Sequence, residues 1–230
     1  MIRNGRAKCR SLSFGALALL LAGLAPVSAA ATDWLVLLVD RSNSIDPEEL
    51  RLQREAYIRL LTDEAVVRAL SDTRVAIVEF DSRTELVTGW TSAEGAAQRY
   101  RRRSPDGLRG QTGIGHAVEL ALGLLAGKQG RKVIDISGDG MENVDRRLLT
   151  KVRQKAAEQA IEINGLAIDD DPEVDVSDYY LQHVATGFVL PVERREDFYE
   201  ALRNKLFLEM VGREAPPGSL DAAADDGDQP

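Results

Sequence analysis

A chain of 230 residues with 37 acidic and 29 basic side chains carries a net charge of −8, which disfavours nucleic acid and anionic lipid as partners. Its single cysteine, Cys9, precedes an apolar run and is not placed as a lipoprotein cysteine would be, so the chain beyond Cys9 has no disulfide and no thiolate metal site. The length suits one sizeable domain with its own core.

The first segment reads as targeting and not as fold. Arg3, Arg6, Lys8 and Arg10 precede an uncharged stretch from Ser11 to Thr32 that contains Ala16-Leu17-Ala18-Leu19-Leu20-Leu21-Ala22 and closes on Val27-Ser28-Ala29-Ala30-Ala31. This is the pattern of a signal peptide over residues 1–29, cleaved near Ala29–Ala31. An uncleaved anchor is the alternative, because the uncharged stretch is nearly long enough to span a bilayer. Cleavage takes away four basic residues and lowers the net charge from −8 to −12. The expectation is an exported bacterial protein, periplasmic or secreted, with no membrane role beyond export.

Strand and helix patterns then alternate. Trp34–Val39 is a continuous apolar run, a buried strand. Asp46-Pro47-Glu48-Glu49 starts a helix to about Leu61, with a second piece to Leu70. Arg74–Phe80 and Glu85–Trp90 are strands joined by four residues, hence a hairpin. A short helix spans about Ser92 to Arg102. Ile114, Ala117, Val118, Ala121, Leu122 and Leu125 repeat at helical spacing and give one buried face. Lys132–Ser137 is a strand, Asp145–Ala160 a helix and Ile161–Ile168 a strand. A short helix near Tyr179–Val184, a strand at Phe188–Val192 and a helix from about Glu196 to Met210 complete the domain, 33–212. Residues 213–230, rich in Pro, Gly, Ala and Asp, read as a disordered acidic tail. The alternation predicts an α/β fold: a doubly wound, mostly parallel sheet with one antiparallel edge strand and helices on both faces.

Three segments carry the chemistry. Asp40-Arg41-Ser42-Asn43-Ser44 stands at the carboxyl end of the first strand, where open α/β sheets bind ligands. Gly110-Gln111-Thr112-Gly113 leads into a helix, and Ser137-Gly138-Asp139-Gly140 ends another strand. Singly, each is a familiar turn or cap. Together they offer two carboxylates and three hydroxyls, hard oxygen donors that suit Mg²⁺, Mn²⁺ or Ca²⁺ and not zinc.

This ordered set resembles the von Willebrand factor A (VWA) domain family over about Trp34 to Met210. The family's metal-ion-dependent adhesion site (MIDAS) matches Asp40, Ser42, Ser44, Thr112 and Asp139. The resemblance implies bound Mg²⁺ and a partner protein whose Asp or Glu carboxylate completes the coordination. Tyr179-Tyr180, Phe188-Val189-Leu190-Pro191 and Lys205-Leu206 further resemble a secreted bacterial VWA subfamily of unknown function. No catalytic residue is expected, because the chain has no G-x-S-x-G, H-E-x-x-H or G-x-x-x-x-G-K-[ST].

Two alternatives stay open. One is a metal-assisted phosphoester hydrolase, with Arg41 and Arg109 to meet the phosphate; the other is a purely structural metal. Several neighbours of the motif also read two ways. Asp135, by alternation, shares a face with Ser137, as an orienting group or as a core Asp. Glu142 and Asn143 are expected in a solvated loop, Asp169-Asp170-Asp171 in an exposed loop, and Arg99, Arg101, Arg102 and Arg103 at a solvated helix end. His116 is expected on the surface of its helix.

Overall fold

Leu35, Val36, Leu37, Leu38 and Val39 are fully inaccessible, so the first strand is covered on both faces and stands at the centre of the sheet. The structure, a computed structural model, describes residues 32–43, 45, 47–103, 110–169 and 174–210. The expected signal peptide, Ser44, Arg109 and the tail lie outside the described residues. In chain order the elements are β1 (Asp33–Asp40), α1 (Pro47–Leu60), α2 (Glu64–Ala69), β2 (Thr73–Phe80), β3 (Thr84–Thr91), α3 (Ala93–Arg102), α4 (Ile114–Leu125), β4 (Lys132–Gly138), α5 (Arg146–Glu158), β5 (Glu162–Ile168), α6 (Val176–Tyr179), β6 (Val189–Val192) and α7 (Phe198–Met210).

The strand order is β3-β2-β1-β4-β5-β6. Only β3 is antiparallel, because Asp81-Ser82-Arg83 is too short for a crossover. From β1 the chain winds first towards β2 and later back to β4, so the strand order reverses between β1 and β4. That reversal opens a crevice at the carboxyl ends of two neighbouring strands. The expected doubly wound architecture is observed.

Strand alternation sorts the core into two layers. Leu35, Leu37, Val39, Val75 and Ile77 pack with Tyr57 and Leu60 of α1, Ala96 and Tyr100 of α3, and Leu202 and Leu206 of α7. Val36, Leu38, Val78, Phe80, Ile134 and Ile136 pack with Ile114, Val118 and Leu122 of α4, Leu149 and Val152 of α5, and Tyr180 and Val184. The last two belong to a π-helical turn, Tyr180–Val184, which continues α6. The expected helix near Tyr179–Val184 therefore begins earlier and ends wider. Its start is held by two aspartates: Asp175, the N-cap, accepts the backbone N–H of Asp178 (2.7 Å), and Asp169 Oδ1 accepts those of Val176 (2.8 Å) and Ser177 (3.0 Å). Asp169 is thus half-buried and tied to the first turn of α6, not part of an exposed acidic loop; Asp170 and Asp171 lie outside the described residues.

One group of charges is sealed between sheet and helix. Lys205 Nζ lies 2.7 Å from Asp135 Oδ2 and 2.6 Å from Glu209 Oε1, and none of the three side chains is exposed. Asp135 is therefore a paired core residue on the α7 side of the sheet. Two carboxyls share one ammonium, so burial first and the charge of Asp135 second push Glu209 up to about 8, against the pull of Lys205. The folded state then holds a proton that the unfolded chain releases near pH 4.5. The stability from this group is complete below about pH 4.5 and is lost as pH rises towards about 8. Urea unfolding of Glu209→Gln between pH 5 and 8 is expected to show a shallower decline than the parent; an identical decline would contradict the assignment. Lys205→Met leaves two buried acids without a counter-ion and is expected to cost about 3–5 kcal/mol.

Candidate metal centre

The register of β1 on β4 sets Val39 opposite Ser137, which brings Asp40 beside Gly138 and the loop that begins at Asp139. Asp40 is fully buried. Its Oδ1 accepts the backbone N–H of Ser42 at 2.7 Å, whereas Oδ2 has no hydrogen-bond partner. Ser42 and Thr112 are buried as well, and the Thr112 hydroxyl donates to Ser42 Oγ at 3.1 Å. Asp139 is half-buried at the tip of β4. A Cβ on Gly140 would stand 2.8 Å from Thr112 Oγ1, so the β4 loop lies directly on Thr112. Asp40, Ser42, Thr112 and Asp139 thus converge from three chain segments.

The loops that carry them are tied to one another through the backbone. Asn43 N–H donates to Gly110 O (3.0 Å), and Gly113 N–H donates to Asp81 O (3.1 Å). Thr112 and Asn143 exchange a pair of bonds: Thr112 N–H to Asn143 Oδ1 at 2.8 Å, and Asn143 N–H to Thr112 O at 3.1 Å. Glu142 is inaccessible, and its carboxylate accepts the N–H groups of Gly115 (2.6 Å), Val144 (2.7 Å) and Asp145 (2.8 Å). It satisfies the first turn of α4 and the approach to α5 together. The expected solvated loop is instead a clamp between the Thr112 and Asp139 segments. Thr112 is not the α4 cap; Gly113 takes that position without a side-chain bond.

Arg41 is held away from the crevice. Its guanidinium meets Glu79 Oε2 (3.5 Å), Asp81 Oδ2 (3.8 Å) and Glu85 Oε2 (3.5 Å), and the residue is nearly buried. Arg54 pairs with Glu79 Oε1 at 2.5 Å, and the Tyr100 hydroxyl donates to the same oxygen at 2.9 Å. Arg103, expected at a solvated helix end, joins this network through Glu79 and Glu85. The Arg41 charge is taken up by carboxylates, and the phosphate role weighed for it finds no support. His116 is half-buried, not on the surface as expected, and its Nδ1 has no partner.

The electrostatics of the crevice disfavour an isolated carboxylate. Burial first, then the charge of Asp139, then that of Asp81 push Asp40 up to about 8, although the Ser42 bonds favour the ionised form. A positive partner would favour the ionised form in this position. The donors are all oxygen, and among the described residues no group of three or more His, Cys, Asp or Glu is placed to hold a metal. Two carboxylates with hydroxyls fit a hard divalent ion that keeps part of its water shell. The unpartnered Oδ2 of Asp40 is the observation that makes the fit.

Sequence reasoning missed one neighbour, Tyr180. It is fully buried, and its hydroxyl has no hydrogen-bond partner. Burial first, then the charges of Asp40 and Asp139 hold its phenol well above the ordinary range, so it stays protonated. The signal was two glycines in buried strands, Gly165 within β5 and Gly138 at the end of β4. A Cβ on Gly165 would lie 2.9 Å from Tyr180 Cδ2, and one on Gly138 would lie 2.7 Å from the Tyr180 hydroxyl. Glycine in a strand interior marks such a close approach.

The sequence and the fold have counterparts among known proteins. A sequence model described as "Protein of unknown function (DUF1194)" matches residues 31–214. No curated protein matches the sequence significantly. A von Willebrand factor type A structure from Catenulispora acidiphila superposes with a TM-score of 0.62 at 15% identity, over 78% of this chain and 43% of that one. Proximal thread matrix protein 1 from the mussel byssus, with a zinc-occupied MIDAS motif, gives 0.62 at 17% identity over 78% and 46%. The vWF domain of the pilus tip protein Mfa5 from Porphyromonas gingivalis gives 0.61 at 12% identity over 84% and 99%. The chain thus spans less than half of the first two and nearly all of the third. The fold is that of a VWA domain.

The Glu142 clamp is open to direct test. Glu142→Ala strips three N–H groups of a charged acceptor and is expected to lower stability by about 3 kcal/mol or more in chemical denaturation. A loss below about 0.5 kcal/mol, the size usual for an uncommitted surface site, would contradict the clamp.

Proposed function

The chain belongs to the DUF1194 family, and from that premise we propose that it is a metal-dependent protein-binding module, not an enzyme. Asp40, Ser42, Ser44, Thr112 and Asp139 would hold the ion, with Mg²⁺ the first choice and Mn²⁺ or Ca²⁺ the same hard class. The ion supplies a positive, incompletely neutralised centre to which an Asp or Glu carboxylate of a partner protein can bind. The residues do the rest. Asp40 and Asp139 bring the charge, Ser42 and Thr112 the neutral oxygens, and the Glu142–Asn143 clamp keeps the Thr112 segment fixed against the Asp139 segment.

One observation carries the reading: a fully buried aspartate whose second oxygen has no protein donor, set beside two hydroxyls already in contact. An unpaired buried carboxylate is costly unless something compensates it. The mussel protein, with zinc at its MIDAS motif, supports a divalent ion on this fold. The burial of Arg41 among three carboxylates removes a cation that phosphoester hydrolysis would need. Export is part of the proposal: a signal peptide over 1–29, a periplasmic or secreted domain over 33–212 and an acidic tail over 213–230. No helix among the described residues is long and apolar enough to cross a membrane.

The expected result is a higher thermal midpoint in Mg²⁺ than in EDTA, and no such rise in Asp139→Ala. A pull-down from envelope extract is expected to retain a partner in Mg²⁺ and to lose it in EDTA or with Asp139→Ala. A midpoint that ignores Mg²⁺ and Mn²⁺ in the parent protein would sink the reading.

A further inference from the structure

Two inaccessible polar atoms without hydrogen-bond partners, Asp40 Oδ2 and the Tyr180 hydroxyl, share the same small space above Gly138. A Cβ placed on Gly138 would stand 2.7 Å from each of them and 2.9 Å from Asp40 Cβ. The two atoms are not bonded to each other. Because each lies 2.7 Å from one shared point, their separation is at most the width that a single bridging water spans. Buried polar atoms rarely go without partners, and two that face one point above a glycine explain one another.

Tyr180 reaches this point only because the sheet gives way to it twice. Gly165 of β5 admits the ring edge, and Gly138 of β4 admits the hydroxyl, since a Cβ would lie 2.9 Å from the ring at the first and 2.7 Å from the hydroxyl at the second. The π-helical turn carries the residue on the face that α4 and α5 cover, and this apolar packing gives the ring no reason to end in a hydroxyl. A phenylalanine would fill the apolar part equally well. The polar tip is explained only by what lies beyond it.

We propose that Tyr180 is a positioning residue of the metal centre: its hydroxyl donates, through one water, to Asp40 Oδ2 and fixes that carboxylate for the cation. The inference rests on the metal-binding reading and adds to it a sixth side chain, outside the D-x-S-x-S, Thr and Asp set. A group of this kind orients a ligand and sets its basicity, and its loss typically weakens metal binding by about 10–100-fold.

Tyr180→Phe separates this role from a structural one, because the ring is kept and only the hydroxyl is lost. Calorimetric titration with Mg²⁺ and thermal unfolding in EDTA are measured on the parent, Tyr180→Phe and Asp139→Ala. The expected result is a Mg²⁺ dissociation constant at least about tenfold higher in Tyr180→Phe, with an unchanged or raised midpoint in EDTA. An unchanged dissociation constant in Tyr180→Phe overturns the proposal while the metal site stands. So does a midpoint in EDTA that falls by several degrees, since the hydroxyl would then serve the fold itself. A parent protein that binds Mg²⁺ no better than Asp139→Ala overturns both readings.

Discussion

The carboxylate of Asp40 is the constraint around which the rest is arranged. It ends β1, one of the two central strands, at the place where the strand order turns back, and it is cut off from water. One oxygen is met by a backbone N–H and the other by nothing in the protein. Leaving a charge in such surroundings is unfavourable by several kcal/mol, which is why the proton is retained towards neutral pH when no cation is near. Each neighbouring feature bears on this. Asp139 and Asp81 raise the need for positive charge, and the Ser42–Thr112 pair supplies neutral oxygens at its side.

The same chain deals with buried charge in two other ways, and the contrast is informative. Around Glu79 the carboxylates are matched by Arg41, Arg54 and Arg103, a network closed within the protein. Between β4 and α7, Asp135 and Glu209 share the single ammonium of Lys205, and the excess is relieved by holding a proton on Glu209. At the β1–β4 crevice no basic side chain among the described residues meets Asp40 Oδ2. A site left short of cations, in a chain that meets that need twice elsewhere, is what supports the proposed ion from outside.

Much of this was legible in the sequence for plain physical reasons. Leu35–Val39 is a run without polar residues, and only a strand covered on both faces tolerates that. The Ile114–Leu125 spacing gave one apolar helix face, and Asp40, Ser42, Thr112 and Asp139 fell at strand ends and a helix-leading loop where α/β sheets gather ligands. What escaped depends on partners distant in sequence. Glu142 looks like any loop acid until Gly115, 27 residues away, offers its N–H. Asp135 was ambiguous because alternation gives a face and not a neighbour; Lys205, on another element, decides it. Tyr180 was hidden for the same reason, since its reach depends on two glycines in two strands. The π-helical turn that aims it has no sequence signature of its own.

The central claim is that the crevice between β1 and β4 takes a hard divalent ion on Asp40, Ser42, Ser44, Thr112 and Asp139. The most direct test is anomalous diffraction from crystals of the mature protein grown with Mn²⁺. One strong peak is predicted within bonding distance of oxygens from the Asp40–Ser44 segment, from Thr112 or from Asp139, with waters completing the shell. Ordered crystals with an empty crevice at millimolar Mn²⁺, or a peak held only by surface acids elsewhere, would contradict it.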